Sequence, residues 1–540
     1  MSTLSCDVAV VGYGPVGATA AVLLARMGWR VAVFEQAATL HDKPRAIGGD
    51  HELMRVMQRC GIGEELGRHV QPYLGGLYLG IDGQPIRCFA PPREPWPLGW
   101  PPSFFFIQPE YEAMLRRAAD AQPTLDVHLE HRWQGLTLDA DRVRLDFVDF
   151  RSGSTVTCDA RYVIAADGAA SPIRQHLGIE LEDLQFDETW AVVDTHLLRQ
   201  DAVPAQNIQY CWPSRPASFI LGPRDLRRWE MKLLPGEDPG NFGQHEIRAA
   251  LATYVDIDAV ELWRTAVYRF HALLATEWRR GRVLLAGDAA HQTPPFMGQG
   301  LCSGIRDASN LSWKLDLVLR DRAGDDLLDS YIEERAPHTR RLVELAKDAG
   351  LIIGEMDVGA ARTRDERMRE QMRLDSGADA QGIVRHRMTP PLAHGVLARE
   401  ADGRLYPLAG QLCFQPRVLR EDGSIRLLDD CTSDGFLLVL LSAEACAWVT
   451  PEHLVMLARI GGQCVAVFPK GTGGDEAARV APAGVEVVRD ITGLFEDYVR
   501  DADVRALLVR PDRYVYSALR SGPELDHAMG QLFDQLGSRA

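Results

Sequence analysis

The sequence lacks long apolar runs and paired cysteines. No stretch approaches the roughly 20 apolar residues that a membrane-spanning helix requires, so we expect no membrane association. The 10 cysteines are scattered and form no C-x-x-C pair. This pattern indicates free thiols in a reducing compartment and argues against a disulfide framework or a metal site. The first apolar strand follows closely on Met1 and leaves no room for a signal peptide, so we predict a cytoplasmic protein.

The sequence also has fewer basic than acidic residues. Lys and Arg number 59 against 75 Asp and Glu, which gives a formal net charge of −16 at pH 7. This balance argues against a nucleic-acid partner, although it does not exclude a local basic pocket. With 540 residues, 46% of them hydrophobic and 25% charged, the chain is long enough for two or three soluble domains.

The segment Asp7–Glu35, DVAVVGYGPVGATAAVLLARMGWRVAVFE, has the order of a βαβ unit. A buried apolar run is followed by G-x-G-x-x-G, by a helix rich in Ala and Leu, and by a second apolar run that ends in an acid. This is the context, about 30 residues long, in which the glycine motif binds a dinucleotide. The alternative is a tight turn with chance glycines, and the acid at the end of the second strand favours the dinucleotide site.

The three glycines of the motif have separate predicted roles. Gly12 permits the tight turn, Gly14 lets a pyrophosphate approach the backbone, and Gly17 lets helix and strand pack closely. The free N–H groups at the start of the helix supply an anion site. Glu35 is placed to accept hydrogen bonds from an adenosine ribose.

Two later apolar strands also end in an aspartate beside a glycine. Tyr162–Ala166 is followed by Asp167-Gly168, and Arg282–Ala286 is followed by Gly287-Asp288 and a loop rich in Pro and Gly. The carboxyl ends of strands in open α/β sheets are where ligands bind, and an aspartate there can hold a ribose or ribityl hydroxyl. Either pair alone is more typical of a turn that caps a helix. Three motifs in this order favour a single cofactor site.

Together the three motifs resemble those of the class A flavoprotein aromatic hydroxylases, the para-hydroxybenzoate hydroxylase-like family, over residues 5–350. In that family the first motif binds the ADP half of FAD, the second contacts FAD and is implicated in nicotinamide binding, and the third binds the ribityl chain. Arg45 in KPRAIG and Gln108 in FIQPEYEAML match FAD-contacting residues of the family. The resemblance implies non-covalently bound FAD, NADH or NADPH as reductant, and O₂ as co-substrate. The predicted cofactor-binding residues are Gly12, Gly14, Pro15, Val16, Gly17, Glu35, Arg45, Gln108, Asp167, Gly168, Gly287, Asp288, Pro295, Gly298, Gly300 and Leu301.

Several segments resemble one branch of this family, the 3-(3-hydroxyphenyl)propionate hydroxylases. They are PRAIGGDHELMRVMQRCGI, NIQYCWPSRPASF, RRWEMKLLPGE, GQGLCSGIRDASNLSWKLDLVL and LLVRPDRYV. The branch implies a phenolic acid substrate, hydroxylated ortho to its hydroxyl to give a catechol. Neighbouring hydroxylases share much of this framework, so a different phenol or a larger polyketide-type aromatic stays open.

The expected fold class is α/β with three parts. A Rossmann-like FAD-binding domain takes residues 1–185 and 276–395, including a helical extension. An antiparallel substrate-binding sheet is inserted at residues 186–275, with a partial contribution from residues 72–107. The tail, residues 401–540, resembles the thioredoxin-like domain of the branch and carries no C-x-x-C pair, so no dithiol redox chemistry is expected of it. Related tails contribute to subunit contacts, which allows a homo-oligomer, and all three motifs precede the tail, so the FAD site is expected to be complete without it.

No residue is assigned a catalytic role, although His291 and Tyr210 are weak candidates. Tyr210 and Trp212 alternate on a predicted strand of the substrate sheet, a pattern more typical of core packing. A carboxylate-bearing substrate would need a cation, since arginine pairs bidentately with carboxylates. The candidates for that cation are Arg215, Arg224, Arg227 and Arg228. Cys302 has no predicted base nearby and is interpreted as a small buried side chain.

Two other functions compete with this interpretation. A flavoprotein disulfide reductase would need a redox cysteine pair and usually a second nucleotide motif, and the sequence contains neither. A non-catalytic dinucleotide-binding regulator would be a colourless protein. The absence of a second G-x-G-x-x-G after a strand also leaves the choice between NADH and NADPH open.

Overall fold

The computed structural model describes residues 3–91, 93–375, 389–470 and 480–537. Residues 376–388, near the end of the predicted FAD-binding segment 276–395, lie outside these ranges. The strands are, in chain order, β1 Thr3–Val11, β2 Val31–Glu35, β3 Gly48–Asp50, β4 Gln71–Pro72, β5 Gly76–Leu79, β6 Pro85–Phe89, β7 Ser103–Phe105, β8 Leu125–Leu129, β9 His131–Leu138, β10 Val143–Asp149, β11 Thr155–Ala165, β12 Leu181–Leu197, β13 Asn207–Tyr210, β14 Ala217–Leu221, β15 Leu226–Lys232, β16 Val260–Ala275, β17 Arg279–Arg280, β18 Val283–Leu285, β19 His291–Gln292, β20 Arg417–Leu419, β21 Ile425–Leu427, β22 Leu437–Leu440, β23 Gln463–Pro469, β24 Glu486–Asp490, β25 Ala506–Val509 and β26 Val515–Leu519.

The α-helices surround and connect these strands. They are α1 Pro15–Arg26, α2 His51–Arg59, α3 Gly63–Gly67, α4 Gln108–Asp120, α5 Pro172–His176, α6 Gln244–Leu251, α7 Gly300–Leu319, α8 Asp329–Ile353, α9 Val358–Asp375, α10 Ala443–Trp448, α11 Pro451–Arg459, α12 Glu496–Asp501 and α13 Gly522–Gln535. In the described ranges no helix combines the length and the apolar character that crossing a bilayer would take.

The first sheet brings the three sequence motifs to one edge. Its main path is β17-β18-β11-β1-β2-β8, and β1 runs parallel to both β2 and β11, which in turn runs parallel to β18. Val11 pairs with Ala165, and Ala165 pairs with Leu285, so the three strands end level with one another. The turns that follow them therefore lie side by side, as expected for a ligand-binding edge of a parallel sheet.

The second sheet is mainly antiparallel and has the order β19-β16-β12-β15-β14-β13-β5-β6. Strands β5 and β6, residues 76–89, join it through a parallel pairing of β5 with β13. One face is filled by alternate residues such as Tyr210, Phe219 and Trp229, which pack with Leu251 of α6. The residues that alternate with them point to the opposite face, because successive side chains of a strand point to opposite sides.

The C-terminal sheet has the order β21-β20-β24-β23-β22-β25-β26. Residues before this sheet also pack on it, since the N–H of Ala398 donates to the carbonyl of Tyr516 at 3.1 Å. Buried ion pairs join the sheet to the first part of the chain, among them Arg55 with Asp429 at 2.7 Å. The resemblance of this region to a thioredoxin-like domain stays a prediction.

Candidate active site

A cavity of about 1440 Å³ lies between the motif-bearing edge of the first sheet and one face of the second. Its volume exceeds the roughly 300–1,000 Å³ typical of small-ligand pockets, so it has room for a dinucleotide together with a second ligand. Fourteen of the sixteen predicted cofactor-binding residues line it. They are Gly12, Gly14, Pro15, Val16, Glu35, Arg45, Gln108, Asp167, Gly168, Asp288, Pro295, Gly298, Gly300 and Leu301.

The two remaining glycines, Gly17 and Gly287, lie behind the cavity wall. A Cβ at Gly17 would collide with the carbonyl oxygen of Gly12, so this glycine lets α1 pack against the end of β1. Gly287 has a φ of +62°, and a Cβ there would come within 2.9 Å of Cγ2 of Val16. Both residues therefore act through packing, which agrees with the role predicted for Gly17 and corrects the prediction of Gly287 as a direct contact.

Gly14 and Gly168 face open space. No atom lies within 4 Å of a Cβ built at either position, and both residues are on the cavity wall. Gly14 is the N-cap of α1, with Pro15 at the first helical position and no side-chain cap. The first N–H groups of α1 are thus left for an anionic ligand, as the dinucleotide interpretation requires.

Several buried polar atoms of the wall have no hydrogen-bond partner within the described ranges. They are Oδ1 of Asp167, the hydroxyl of Tyr13 and Oγ1 of Thr293. Burial raises the pKa of Asp167, whose other carboxylate oxygen accepts from the N–H of Ile173 at 3.1 Å. Asp288 lines the cavity and is exposed to it. Since buried polar atoms are normally paired, these atoms fit the ribose, ribityl and phosphate groups of FAD.

Gln108 and Arg45 occupy one corner of the cavity. Oε1 of Gln108 accepts from the backbone N–H of Arg45 at 2.9 Å and of Ala46 at 2.5 Å, and its amide nitrogen donates to Glu112 at 2.6 Å. Gln108 therefore holds the loop that carries Arg45. The Arg45 guanidinium pairs with no carboxylate of the described chain, which leaves it available to the cofactor.

The same loop is held from the other side by the second sheet. Arg228 donates to the carbonyl of Arg45 at 2.7 Å and to the carbonyl of Pro44 at 3.1 Å. Its Nε and Nη2 bind the two carboxylate oxygens of Asp194, at 2.7 and 3.0 Å, and Arg264 approaches the same carboxylate at 3.3 Å. This buried cluster fixes the substrate sheet relative to the predicted FAD contact.

The two weak catalytic candidates lie away from the cavity wall. His291 is fully buried, and its Nε2 lies 2.8 Å from Oδ2 of Asp307, which also accepts from the N–H of Gly287. Tyr210 points to the packed face of the sheet, between Trp212 and Tyr254, where burial raises its pKa to about 12. The catalytic interpretation of both residues is therefore wrong: His291 supports the third motif, and Tyr210 belongs to the core.

The four candidate arginines of the substrate sheet all have partners. Arg215 binds Glu237 at 2.6 Å, and Arg224 binds Glu110. Arg227 donates only to backbone carbonyls, and Arg228 is bound to Asp194 as described above. Of the four only Arg228 lines the cavity. Cys302 is buried with its thiol towards the carbonyl of Gly298, and burial raises the pKa of that thiol.

Six of the residues by which the second sheet lines the cavity form one row across six strands. The register pairs Arg87 with Tyr78, Tyr78 with Gln209, Gln209 with Ser218, Ser218 with Glu230, and Glu230 with Val192. All six line the cavity. The sequence carried one signal for them, because a strand with Tyr210 in the core must present Gln209 on the other face. The predicted partial contribution of residues 72–107 to this sheet comes from β5 and β6, whose register with β13 the sequence did not indicate.

Comparisons with known proteins agree with this site. The family model described as "FAD binding domain" matches residues 5–346, and the "HcaD C-terminal domain" matches residues 410–535. A probable NADH-specific resorcinol 4-hydroxylase of Rhodococcus jostii is 32% identical, with 96% of this chain and 93% of the relative covered. A 3-(3-hydroxy-phenyl)propionate/3-hydroxycinnamic acid hydroxylase of Comamonas testosteroni is also 32% identical, with 97% and 96% covered.

Solved structures share the fold. The flavin-dependent monooxygenase PieE, in complex with FAD and substrate, superposes with a TM-score of 0.78 at 21% identity, and covers 99% of this chain and 100% of its own. Aklavinone-11 hydroxylase superposes with a TM-score of 0.75 at 22% identity, with 99% and 100% covered. The alternatives of a disulfide reductase and a non-catalytic regulator are therefore wrong. The chain belongs to the para-hydroxybenzoate hydroxylase-like family of FAD-dependent aromatic hydroxylases, flavoprotein monooxygenases that use NAD(P)H as reductant.

Proposed function

We propose that this enzyme inserts one oxygen atom of O₂ into a phenolic acid, ortho to its hydroxyl, and so forms a catechol. The observation that carries the proposal is that the FAD motifs line the same cavity as the row of the second sheet that runs from Arg87 to Val192. The two relatives named above are described as hydroxylases of resorcinol and of 3-(3-hydroxyphenyl)propionate, two phenols with a second group meta to the hydroxyl. A compound such as 3-(3-hydroxyphenyl)propionate is therefore the substrate we expect.

Different residues of the chain would bind different parts of the cofactor. The turn Gly12–Gly14, the start of α1 and Glu35 would hold the ADP half, and Asp288 the ribityl chain. The loop Pro295–Gly300 would lie along the flavin ring. Bound FAD, once reduced by NAD(P)H, supplies the activation of O₂ that no amino-acid side chain provides.

Aromatic side chains close the cavity near that loop. Phe296 packs edge-on against Trp190, with ring centroids 5.0 Å apart, and against Phe270 at 6.2 Å. Phe270 and Phe296 both line the cavity. An apolar wall at this point excludes water from the reacting ring, which favours oxygen transfer over unproductive loss of the oxidising equivalent.

The test is a stopped-flow survey of flavin reduction by NADH and NADPH, with ¹⁸O₂ incorporation measured by mass spectrometry. We expect 3-(3-hydroxyphenyl)propionate to accelerate flavin reduction and to gain one labelled oxygen. Phenylpropionate, which lacks the activating hydroxyl, should give no hydroxylated product. If only a bulky polycyclic phenol is hydroxylated, the phenolic-acid substrate is wrong. If no phenol gains oxygen, the proposed function itself is wrong.

A further inference from the structure

The row of the second sheet that lines the cavity carries opposite charges at its two ends. Arg87 on the edge strand β6 stands at one end, and Glu230 on β15 stands near the other. Between them lie Tyr78, Gln209 and Ser218, all facing the same cavity. We call these five residues the polar row. The charges are separated along the sheet, and neither neutralises the other.

Arg87 has no carboxylate partner in the described part of the chain. Its half-buried guanidinium lies over the ring of Tyr78, 5.7 Å from the ring centroid. The other arginine of this wall, Arg228, is bound to Asp194 at 2.7 Å. A half-buried cation that faces a cavity without a counter-charge is suited to an anionic group on a ligand.

The carboxyl group of Glu230 likewise lacks a partner in the described part of the chain that would satisfy it. It is only 5% exposed, and no described residue donates a hydrogen bond to its carboxyl group. The nearest cationic atom, Nη1 of Arg228, is 3.9 Å from Oε1. The adjacent Ser218 hydroxyl already donates to Oε1 of Gln209. Burial raises the pKa of Glu230, as expected for a carboxyl group that lacks donors, and a ligand hydroxyl would supply one.

The two ends of the polar row lie at different distances from the predicted flavin position. Arg228, next to Glu230, donates to the carbonyl of Arg45 at 2.7 Å, so Glu230 is at the end close to the predicted FAD contact. Arg87 is four strands away, about 19 Å along the sheet between Cα atoms at about 4.8 Å per strand. Both side chains are long, so they close part of this gap.

We infer that the polar row binds a phenolic acid lengthwise, with the phenol hydroxyl donating to Glu230 and the carboxylate paired with Arg87. This inference rests on the proposed function and adds the orientation of its substrate. The hydroxyl end then lies beside the flavin, where ortho attack must occur, and the carboxylate end points away from it. A short chain between ring and carboxylate spans the row better than a carboxylate attached directly to the ring.

The test compares an acid and a neutral phenol on the holoenzyme. Dissociation constants of 3-(3-hydroxyphenyl)propionate and 3-propylphenol are measured from the perturbation of flavin absorbance, and kcat/KM from hydroxylated product. Arg87→Met should weaken binding of the acid about thirtyfold or more, because it removes one partner of a charge pair, and should leave 3-propylphenol within about twofold. Glu230→Gln should weaken both ligands about tenfold, because both present the same hydroxyl.

The matched control is Arg224→Met, which removes an arginine outside the cavity and should change neither ligand. Arg87→Lys, which keeps the charge, should recover most of the acid binding, and the FAD content of each variant reports its folding. Equal losses for both ligands in Arg87→Met, or none, would overturn the inference. So would a wild type that binds 3-propylphenol as tightly as the acid while it still hydroxylates phenols. A wild type that hydroxylates no phenol would instead overturn the proposed function.

Discussion

The hydroxyl of Tyr514 donates a 2.8 Å hydrogen bond to Oε1 of Glu52, and this contact ties the C-terminal domain to the cofactor site. The other oxygen of Glu52 accepts from Arg306. Arg306 also donates to Oε1 of Gln299 at 2.9 Å, and Gln299 lies in the loop predicted to contact the flavin ring. The tail therefore supports the loop of Gln299 indirectly, although no described residue from 401 onward lines the cavity, and the expectation that the FAD site is complete without the tail stays a prediction.

Tyr514→Phe should weaken FAD binding and lower the melting temperature, because it removes a hydrogen bond to a buried carboxylate. A loss of about 1.5–3 kcal/mol in the free energy of unfolding is expected. Tyr516→Phe is the matched control, since its buried hydroxyl has no partner within the described ranges. FAD fluorescence titration and thermal unfolding measure the two effects. Equal losses in the two variants would show that Tyr514 acts only by packing.

Substitution of Gly14 should abolish FAD binding, whereas substitution of Gly17 should destabilise the fold. Gly14→Val places its side chain in open cavity, so the apoprotein should melt as the wild type does but should no longer bind FAD. Gly17→Ala brings a methyl group against the carbonyl of Gly12, so the apoprotein itself should be destabilised. Stoichiometric FAD in a folded Gly14→Val protein would contradict the interpretation of the first motif.

Asp288→Ala should reduce FAD affinity by about 1–3 kcal/mol through the loss of a hydrogen-bond acceptor in the cavity. Titration of the apoprotein with FAD provides the measurement. Asp329→Ala is a suitable control, because this aspartate is 62% exposed in an ion pair at the surface. Unchanged affinity in Asp288→Ala would remove this residue from the ribityl site.

The stability of the apoprotein should depend on pH through Glu230. Burial raises the pKa of this group above its ordinary value of 4.5, so the folded state holds its proton over a range where the unfolded chain has released it. Stability contributed by the protonated group is complete below pH 4.5 and is lost as pH rises through the folded pKa. Relative to Glu230→Gln, the wild type should therefore lose stability as pH increases from 4 to 8 in urea unfolding. A constant difference over that range would contradict the assignment.

Most of the predicted cofactor residues meet at one cavity because each belongs to a local pattern of the sequence. Gly14, Asp167 and Asp288 each follow a buried apolar strand, and parallel strands bring such turns together whatever the loops between them do. Gly287 shows the limit of this reasoning, since it was predicted to contact the cofactor but packs against Val16 behind the cavity wall.

The substrate face was much harder to predict because it depends on strand pairing over long distances. Gln209 shares the row with Tyr78 and Arg87 only because residues 76–89 pair with β13. Arg228 is of the residue type expected to bind a substrate carboxylate, yet Asp194 on the adjacent strand already binds it. Such partners are determined by the register of the paired strands. The register between segments far apart in the sequence cannot be predicted from the local pattern of either segment.

The contact between Tyr514 and Glu52 also has a consequence for the order of events during biosynthesis. Glu52 leaves the ribosome 462 residues before its hydroxyl partner. Until then the loop that is to lie along the flavin ring lacks part of its support, so stable capture of FAD should be a late event in synthesis. Ribosome-bound chains stalled before Tyr514 are expected to hold less FAD than released chains, and equal flavin occupancy in the two would show that the cofactor enters earlier.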